Sequence, residues 1–296
     1  MLKRFTTLSP QKNMLFLSFL LPLFVMMVIY ATMGVYPFGN STLLTVDLGQ
    51  QYVDFFSYYR TTLLSDPSAL FFSFTKSFGG EMLGLWAYYL MSPFNLIFLL
   101  FPQSQLPLAV TILILMKVSA SGLTFAHLLI SRFEGKGLLV PSFAVSYALM
   151  GYVIVNQLNV MWLDGLVFLP LIILGLEKLL SGESGLYYSL FLAVMLLSNY
   201  YIGFMICVFL VFYYLFAFSR QELFSTNNLK AQLKHFFTQS ARFIGYSLLG
   251  AGFAAVLLLP TFYSLLGSKA SYANKLIDWR FAYDPFEVVS KFYIGA

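Results

Sequence analysis

Apolar residues fill most of this chain in long blocks that polar residues interrupt at only a few places. Each clear block is long enough to cross a hydrocarbon core of about 30 Å as a helix, at about 1.5 Å per residue. The predicted spans are residues 14–36, 106–130, 138–156, 162–180 and 243–266. The pattern therefore predicts an all-α, polytopic membrane protein, a single transmembrane domain over residues 1–296.

Two further apolar blocks are broken near the middle. Residues 83–101 contain Ser92-Pro93, and proline removes a helix hydrogen bond. We expect this block to stay on the outer side of the membrane, as a re-entrant or surface pair of helices. Residues 186–219 would form one helix of about 50 Å, too long for an upright span. They are predicted to form a two-helix hairpin that turns at Asn199.

The long loop after the first span, residues 37–105, is predicted to begin with an amphipathic helix. At 100° per residue one arc of this helix is polar, and the other face is almost wholly apolar. The polar arc consists of Asp47, Gln50, Gln51, Asp54, Ser57, Tyr58 and Thr61. We expect the helix to lie flat in the headgroup layer, with its apolar face in lipid and its carboxylates in water.

Composition and charge support a membrane protein and set its orientation. The chain is 59% hydrophobic and only 10% charged, so no water-soluble fold could cover its apolar surface. The net charge of +5 comes from lysines and arginines that flank the apolar blocks, so nucleic acid is not a predicted partner. The predicted topology places most of these cations in the cytoplasm and most acids outside. Function is therefore expected on the extracytoplasmic side.

The carboxylates of the first loop are the candidates for catalysis. No phosphate-binding loop, nucleophile elbow, dinucleotide fingerprint or zinc motif occurs in the sequence. We interpret Asp47 as a general base and Asp54 as a residue that positions substrate, with Gln50 and Gln51 as substrate contacts. Two alternatives stay open: Asp47 and Gln50 also fit a helix capping box, and a divalent cation could bind the two carboxylates. No metal site or other cofactor is predicted.

Other candidate substrate-binding residues lie in later turns and spans. The short turn before residue 165 supplies Asn159, Trp162 and Asp164, although Trp162 also fits an interfacial anchor and Asp164 a helix cap. Asp164 is expected to form a second acidic wall that faces Asp47. The remaining candidates are Asn199 and Tyr200 at the hairpin tip, Lys117 within a span, and Arg280 after the last span. Lys117 is interpreted either as a phosphate ligand or as half of an internal pair.

Several of these segments together resemble the amino-terminal part of the bacterial YfhO family of membrane proteins. The resemblance rests on DLGQQYVDFF at 47–56, GGEMLGLWAYYLMSPFN at 79–95, Lys117, NQLNVMWLDG at 156–165, SNYYIGF at 198–204 and VVSKFYIGA at 288–296. It implies a transmembrane bundle of the GT-C glycosyltransferase type. Because family members continue with further spans and an outer domain, it also implies that this chain is a fragment.

The resemblance implies transfer of a sugar from a polyprenyl-phosphate carrier to a cell-envelope polymer such as lipoteichoic acid, at the outer face of the cell membrane. Asp47 matches the family's catalytic acid in the first outer loop, and Lys117 or Arg280 would meet the departing phosphate. Carrier, polymer and membrane lipids are the implied partners. Two other classes stay open: a transporter or lipid-carrier flippase with a midplane site at Lys117, and a noncatalytic assembly subunit.

Overall fold

The computed structural model describes residues 10–76, 78–133, 137–220 and 229–266. Within these ranges the chain is helical apart from one small antiparallel ribbon. The α-helices are α1 (Pro10–Thr32), α2 (Val53–Leu64), α3 (Leu83–Leu85), α4 (Leu106–Phe133), α5 (Leu139–Ala148), α6 (Gly151–Asn156), α7 (Leu163–Leu180), α8 (Leu186–Ser198), α9 (Tyr200–Ser219) and α10 (Leu229–Leu266). The first loop adds π-helical turns at Leu48–Tyr52 and Trp86–Leu90, 3-10 helices at Pro67–Leu70, Pro93–Leu99 and Gln103–Gln105, and strands β1 (Phe72–Ser73) and β2 (Gly80–Glu81).

The long helices form one bundle in which α4 is central. Helix α4 packs against α1, α5 and α7, and α8 packs against α7, α9 and α10. Helices α1 and α4 approach closely at Gly122, where a Cβ atom would lie 2.5 Å from the backbone oxygen of Ser18. Any larger residue would therefore push these two helices apart.

The structure confirms an all-α polytopic membrane protein. Among the described residues, five helices are long and apolar enough to cross a membrane. They are Gln11–Thr32, Gln103–Phe133, Leu139–Asn156, Tyr200–Ser219 and Leu229–Leu266. The predicted 138–156 span is interrupted between α5 and α6, and the predicted 162–180 span is α7, which is not among the five and carries Asp164, Glu177 and Lys178.

The predicted hairpin at Asn199 is confirmed. Helix α8 ends at Ser198 and α9 begins at Tyr200, with Asn199 extended between them (φ −161°, ψ 110°). The Asn199 side chain accepts a hydrogen bond from the Ile202 backbone N–H at 2.8 Å, which caps α9. Helix α8 is only 13 residues long, so one arm of the hairpin is short.

The first loop covers one end of the bundle, which we call the loop end; the opposite end carries the ion pair of Arg132 with Glu177. As predicted, residues 83–101 do not form a spanning helix, and their longest continuous element is the 3-10 helix Pro93–Leu99. The prediction that the amphipathic helix rests on lipid is wrong, because its apolar face packs on this segment. Phe56 stacks on Phe98 with ring centroids 4.2 Å apart.

Candidate functional site

A cluster of aromatic side chains at the loop end brings together four distant parts of the chain. The tyrosine cluster consists of Tyr52 from the first turn of the loop, Tyr88 and Tyr89 from the Trp86–Leu90 turn, Trp162 from the turn before α7, and Tyr200 from the start of α9. Ring centroids are 5.3 Å apart for Tyr52 and Tyr89, 4.6 Å for Tyr88 and Tyr89, and 5.7 Å for Tyr88 and Tyr200. Trp162 Nε1 donates to the Tyr88 hydroxyl at 3.2 Å. This bond ties the half-buried Trp162 ring to the cluster.

Asp47 lies at the edge of this cluster with its side chain exposed. The Tyr52 hydroxyl is 3.5 Å from Asp47 Oδ2 and 3.2 Å from Asn159 Oδ1, so two acceptors share its single proton. The capping interpretation of Asp47 is wrong, because its side chain makes no cap hydrogen bond. Instead the preceding Val46 has a positive φ of 49°, which a β-branched residue rarely adopts. This strained backbone, next to a candidate base, is typical of functional sites.

The two tyrosines beside Asp47 are held in their protonated form. Burial, which is the larger cause, and the negative charge of Asp47 together raise the pKa of Tyr52 to about 12. The pKa of Tyr89 is also raised to about 12, mainly by burial and to a lesser extent by electrostatic interaction with Tyr52 and Tyr88. Tyr52 therefore keeps its proton at every physiological pH and can donate it to Asp47 or to Asn159.

The other candidates of the first loop are exposed but do not join the cluster. Gln50, Gln51 and Asp54 all point to the surface, as the amphipathic pattern predicts. Residues 48–52 form a π-helical turn, which departs from the 100° per residue assumed for the sequence pattern. Asp54 lines a separate cleft on the outer side of α2. Asp47 and Asp54 therefore occupy different surroundings.

Lys117 and Asp164 form a buried ion pair. Of the two interpretations of Lys117, a phosphate ligand or half of an internal pair, the structure therefore shows the second. Their Nζ and Oδ2 atoms are 2.8 Å apart, and the side chains are 1% and 0% exposed. Lys117 also donates to the Val160 carbonyl at 2.9 Å, and Ser92 donates to Asp164 Oδ1 at 2.9 Å. The expectation that Asp164 forms an acidic wall facing Asp47 is therefore wrong. Neither partner of this pair is accessible to a substrate phosphate in this arrangement.

The pair fixes the depth of the turn before α7. Lys117 lies about three turns, or about 16 Å, beyond the first residue of α4, Leu106. Because Lys117 binds both Val160 and Asp164, this turn descends into the bundle. Ser92 ties the break in the 83–101 segment to the same place, which explains why that segment folds inward there.

The remaining candidates differ in how accessible they are. Asn199 is fully buried, and its Nδ2 donates to the Tyr88 carbonyl at 2.8 Å while its oxygen caps α9. Its role is therefore to join the hairpin tip to the tyrosine cluster. Tyr200 and Asn159 are half-buried within reach of the cluster. Arg280 lies outside the described residues.

Tyr52, Tyr88 and Tyr89 are not among the site residues predicted from the sequence. Tyr52 was assigned to the lipid-facing side of the amphipathic helix, and the two others lie within the block broken at Ser92. A run of aromatic residues just before a proline break was the available signal. No group of three or more His, Cys, Asp or Glu side chains that could hold a metal ion occurs in the part of the chain that the structure describes.

The helical bundle and its apolar spans define a multi-pass membrane protein. The chain belongs to the YfhO family of bacterial membrane proteins, whose family model matches residues 18–296. No curated protein and no solved structure matches the chain.

Proposed function

We propose that the protein is a membrane glycosyltransferase that moves a sugar from a polyprenyl-phosphate carrier to a cell-envelope polymer. The observation that carries this proposal is the exposed carboxylate of Asp47 beside the hydroxyl of Tyr52, at the edge of an aromatic cluster in a membrane protein. Membership of the YfhO family supports the same class. The sugar donor and acceptor in the proposal follow from that class.

Asp47 would act as the general base. Its Oδ2 faces the Tyr52 hydroxyl, so Oδ1 is left to accept the proton of an acceptor hydroxyl. The acceptor oxygen then attacks the anomeric carbon from the side opposite to the phosphate, and the electron pair of the broken C–O bond leaves with the polyprenyl phosphate. This single displacement inverts the anomeric centre. The Tyr52 hydroxyl, when it donates to Oδ2, would hold the carboxylate in place during proton transfer.

The tyrosine cluster would bind the sugar ring and the first carrier units. Aromatic faces pack well against both C–H groups and apolar chains, while the tyrosine hydroxyls and the Trp162 N–H provide polar atoms. Because Lys117 is already paired with Asp164, the structure supports assigning the phosphate to another cation. Arg280, predicted from the sequence for this role, stays the candidate.

The distribution of charge supports an extracytoplasmic site. Of the described lysines and arginines, Arg60 and Lys76 are on the first loop. A larger set lies on or near the opposite end of the bundle: Lys12, Arg132, Lys178, Arg220, Lys230, Lys234 and Arg242. Cytoplasmic flanks of membrane helices collect Lys and Arg, so the loop end and Asp47 would face outward.

Transfer by the full chain in nanodiscs would test the base assignment. Short polyprenyl phosphates carrying labelled glucose or N-acetylglucosamine would serve as donors, with envelope polymer extracted from a strain lacking the protein as acceptor. We expect Asp47→Asn to lower the rate about 10²- to 10⁴-fold, the usual range for a general base. Glu183→Gln, which changes an exposed carboxylate at the opposite end, is the matched control and should keep the wild-type rate. Unchanged transfer by Asp47→Asn would refute the assignment.

The same protein in sealed proteoliposomes, where only the outer leaflet is open to added reagents, distinguishes transfer from transport. A flippase would move labelled carrier between leaflets without forming a glycosidic bond, and would do so in the absence of acceptor polymer. Leaflet exchange without transfer in the wild-type protein would contradict the proposed function and favour that class.

A further inference from the structure

A second cleft lies along α2 and adjoins the tyrosine cluster through Phe55, whose ring centroid is 4.9 Å from that of Tyr89. It has a volume of about 560 Å³, within the range of about 300–1,000 Å³ that is usual for small-molecule sites. Its walls are formed by α2, by residues 66–76, and by Met82 and Leu85 at the two ends of α3. Its lining is rich in hydroxyl groups, which come from Ser57, Tyr58, Thr61, Thr62, Ser73 and Thr75.

One of these hydroxyls has no hydrogen-bond partner within the protein. Thr62 is 0% exposed, and its Oγ1 is unpartnered among the described residues. Buried polar atoms are nearly always hydrogen-bonded, because an unpaired one loses its water without compensation. Thr62 is among the residues that line the cleft, and no described residue supplies the partner that its hydroxyl lacks. By contrast, the buried hydroxyl of Thr111 donates to the Pro107 carbonyl at 3.0 Å.

The charges of the cleft select against an anion. Two carboxylates, Asp54 and Asp66, line it together with one ammonium, that of Lys76, which already donates to the Glu81 carbonyl. A phosphate would meet a net negative charge here, whereas carboxylates readily accept hydrogen bonds from neutral hydroxyls. The apolar side of the cleft, which includes Phe55, suits the C–H face of a ring.

We propose that this cleft binds an uncharged saccharide. Its hydroxyls would donate to the two carboxylates and pair with Thr61 and the buried Thr62. In the proposed glycosyl transfer the cleft would hold the non-reacting part of the acceptor, and this assignment rests on that function. The acceptor would then present neutral sugar units to this surface, and any phosphate groups of a polymer would lie elsewhere.

Saturation-transfer NMR on the full chain in nanodiscs would measure binding without requiring transfer. The probes are maltotriose, laminaribiose and chitobiose as neutral saccharides, with glycerol 3-phosphate as the anionic polyol. We expect at least one saccharide to bind the wild-type protein and glycerol 3-phosphate not to compete with it. Binding by none of the saccharides, or displacement by glycerol 3-phosphate, would overturn the proposal.

A pair of threonine variants tests the buried hydroxyl itself. Thr62→Val keeps the side-chain shape and should weaken saccharide binding at least tenfold, without lowering the melting temperature. Thr111→Val makes the same change outside the cleft and should leave binding within twofold of wild type. Thr61→Val, at the exposed rim, should also weaken binding and covers the case in which Thr62→Val misfolds. Equal saccharide affinity of wild type, Thr61→Val and Thr62→Val would overturn the proposal.

The outcomes separate this inference from the proposed function. The Asp47→Asn variant should lose transfer but keep saccharide binding, because Asp47 does not line the cleft. Saccharide binding by a protein that shows no transfer would retain the cleft and reject the catalytic role. Transfer without saccharide binding at the cleft would retain the catalytic role and reject the cleft as a saccharide site.

Discussion

Separating the buried pair of Lys117 and Asp164 should be among the most destabilising changes available in this chain. With 2.8 Å between Nζ and Oδ2, their attraction is about 6 kcal/mol at an effective dielectric constant of about 20. Removing two ions from water costs several kcal/mol for each, so the intact pair contributes little net stability. Losing one partner leaves the other ion buried and uncompensated, and this typically costs about 3–5 kcal/mol.

A double-mutant cycle measures this coupling. Lys117→Met should leave the Asp164 carboxylate with Ser92 as its remaining partner, and Asp164→Asn should leave the ammonium with Val160. Each single variant should lose about 3–5 kcal/mol of unfolding free energy. The double variant buries no charge and should lose only about 1–2 kcal/mol. The coupling between the two positions should therefore exceed about 3 kcal/mol.

Equilibrium unfolding in detergent, followed by circular dichroism, supplies the free energies. Glu177→Gln is the matched control, because it breaks the pair with Arg132 at side chains that are 34% and 27% exposed. A partly hydrated pair of this kind should cost about 0–1 kcal/mol. Single-variant costs below about 1 kcal/mol at Lys117 and Asp164, or additive costs, would refute the buried-pair argument. The ammonium would then be hydrated, and the phosphate-binding alternative for Lys117 would stand.

Three further predictions concern packing, capping and pH. Gly122→Ala should cost about 1–3 kcal/mol, because its Cβ would lie 2.5 Å from the Ser18 oxygen, whereas Gly252→Ala meets open space and should cost nothing. Asn199→Ala removes the cap of α9 and should cost about 2 kcal/mol. Tyr52 ionises near pH 12 when folded and near its ordinary pKa of 10 when unfolded, so stability should fall as pH rises from 10 to 12.

The same unfolding assay checks all three predictions. Equal costs for the two glycine variants would contradict the tight crossing of α1 and α4. An Asn199→Ala variant as stable as wild type would show that water replaces the cap. For the pH prediction, Tyr52→Phe lacks the titrating group and should lose less stability between pH 10 and 12 than the wild-type protein. Parallel pH profiles would contradict the link to Tyr52.

The sequence pattern correctly predicted those breaks between helices that depend only on neighbouring residues. The turn at Asn199 followed from a block too long for one span that carries polar residues at its middle, and the break at Ser92-Pro93 followed from the missing proline N–H. Both features are set by residues next to one another in the chain. They could therefore be predicted without knowledge of packing.

The tertiary partners could not be predicted in the same way. Tyr52 has the apolar spacing of a lipid-facing residue, but the 83–101 segment folds back and covers that face, so the tyrosine contacts other aromatic rings. The pairing of Lys117 with Asp164 joins residues 47 positions apart, for which no local spacing rule exists. The sequence showed only that a charge within an apolar span requires a partner.

The brevity of α8 has a consequence for the surrounding bilayer. Its 13 residues extend about 20 Å, about 10 Å less than a typical hydrocarbon core. Lipids that meet this arm must compress locally, or water must enter above its tip. In the glycosyl transfer proposed above, a carrier headgroup at the aromatic rings would then sit lower than its neighbours in the leaflet.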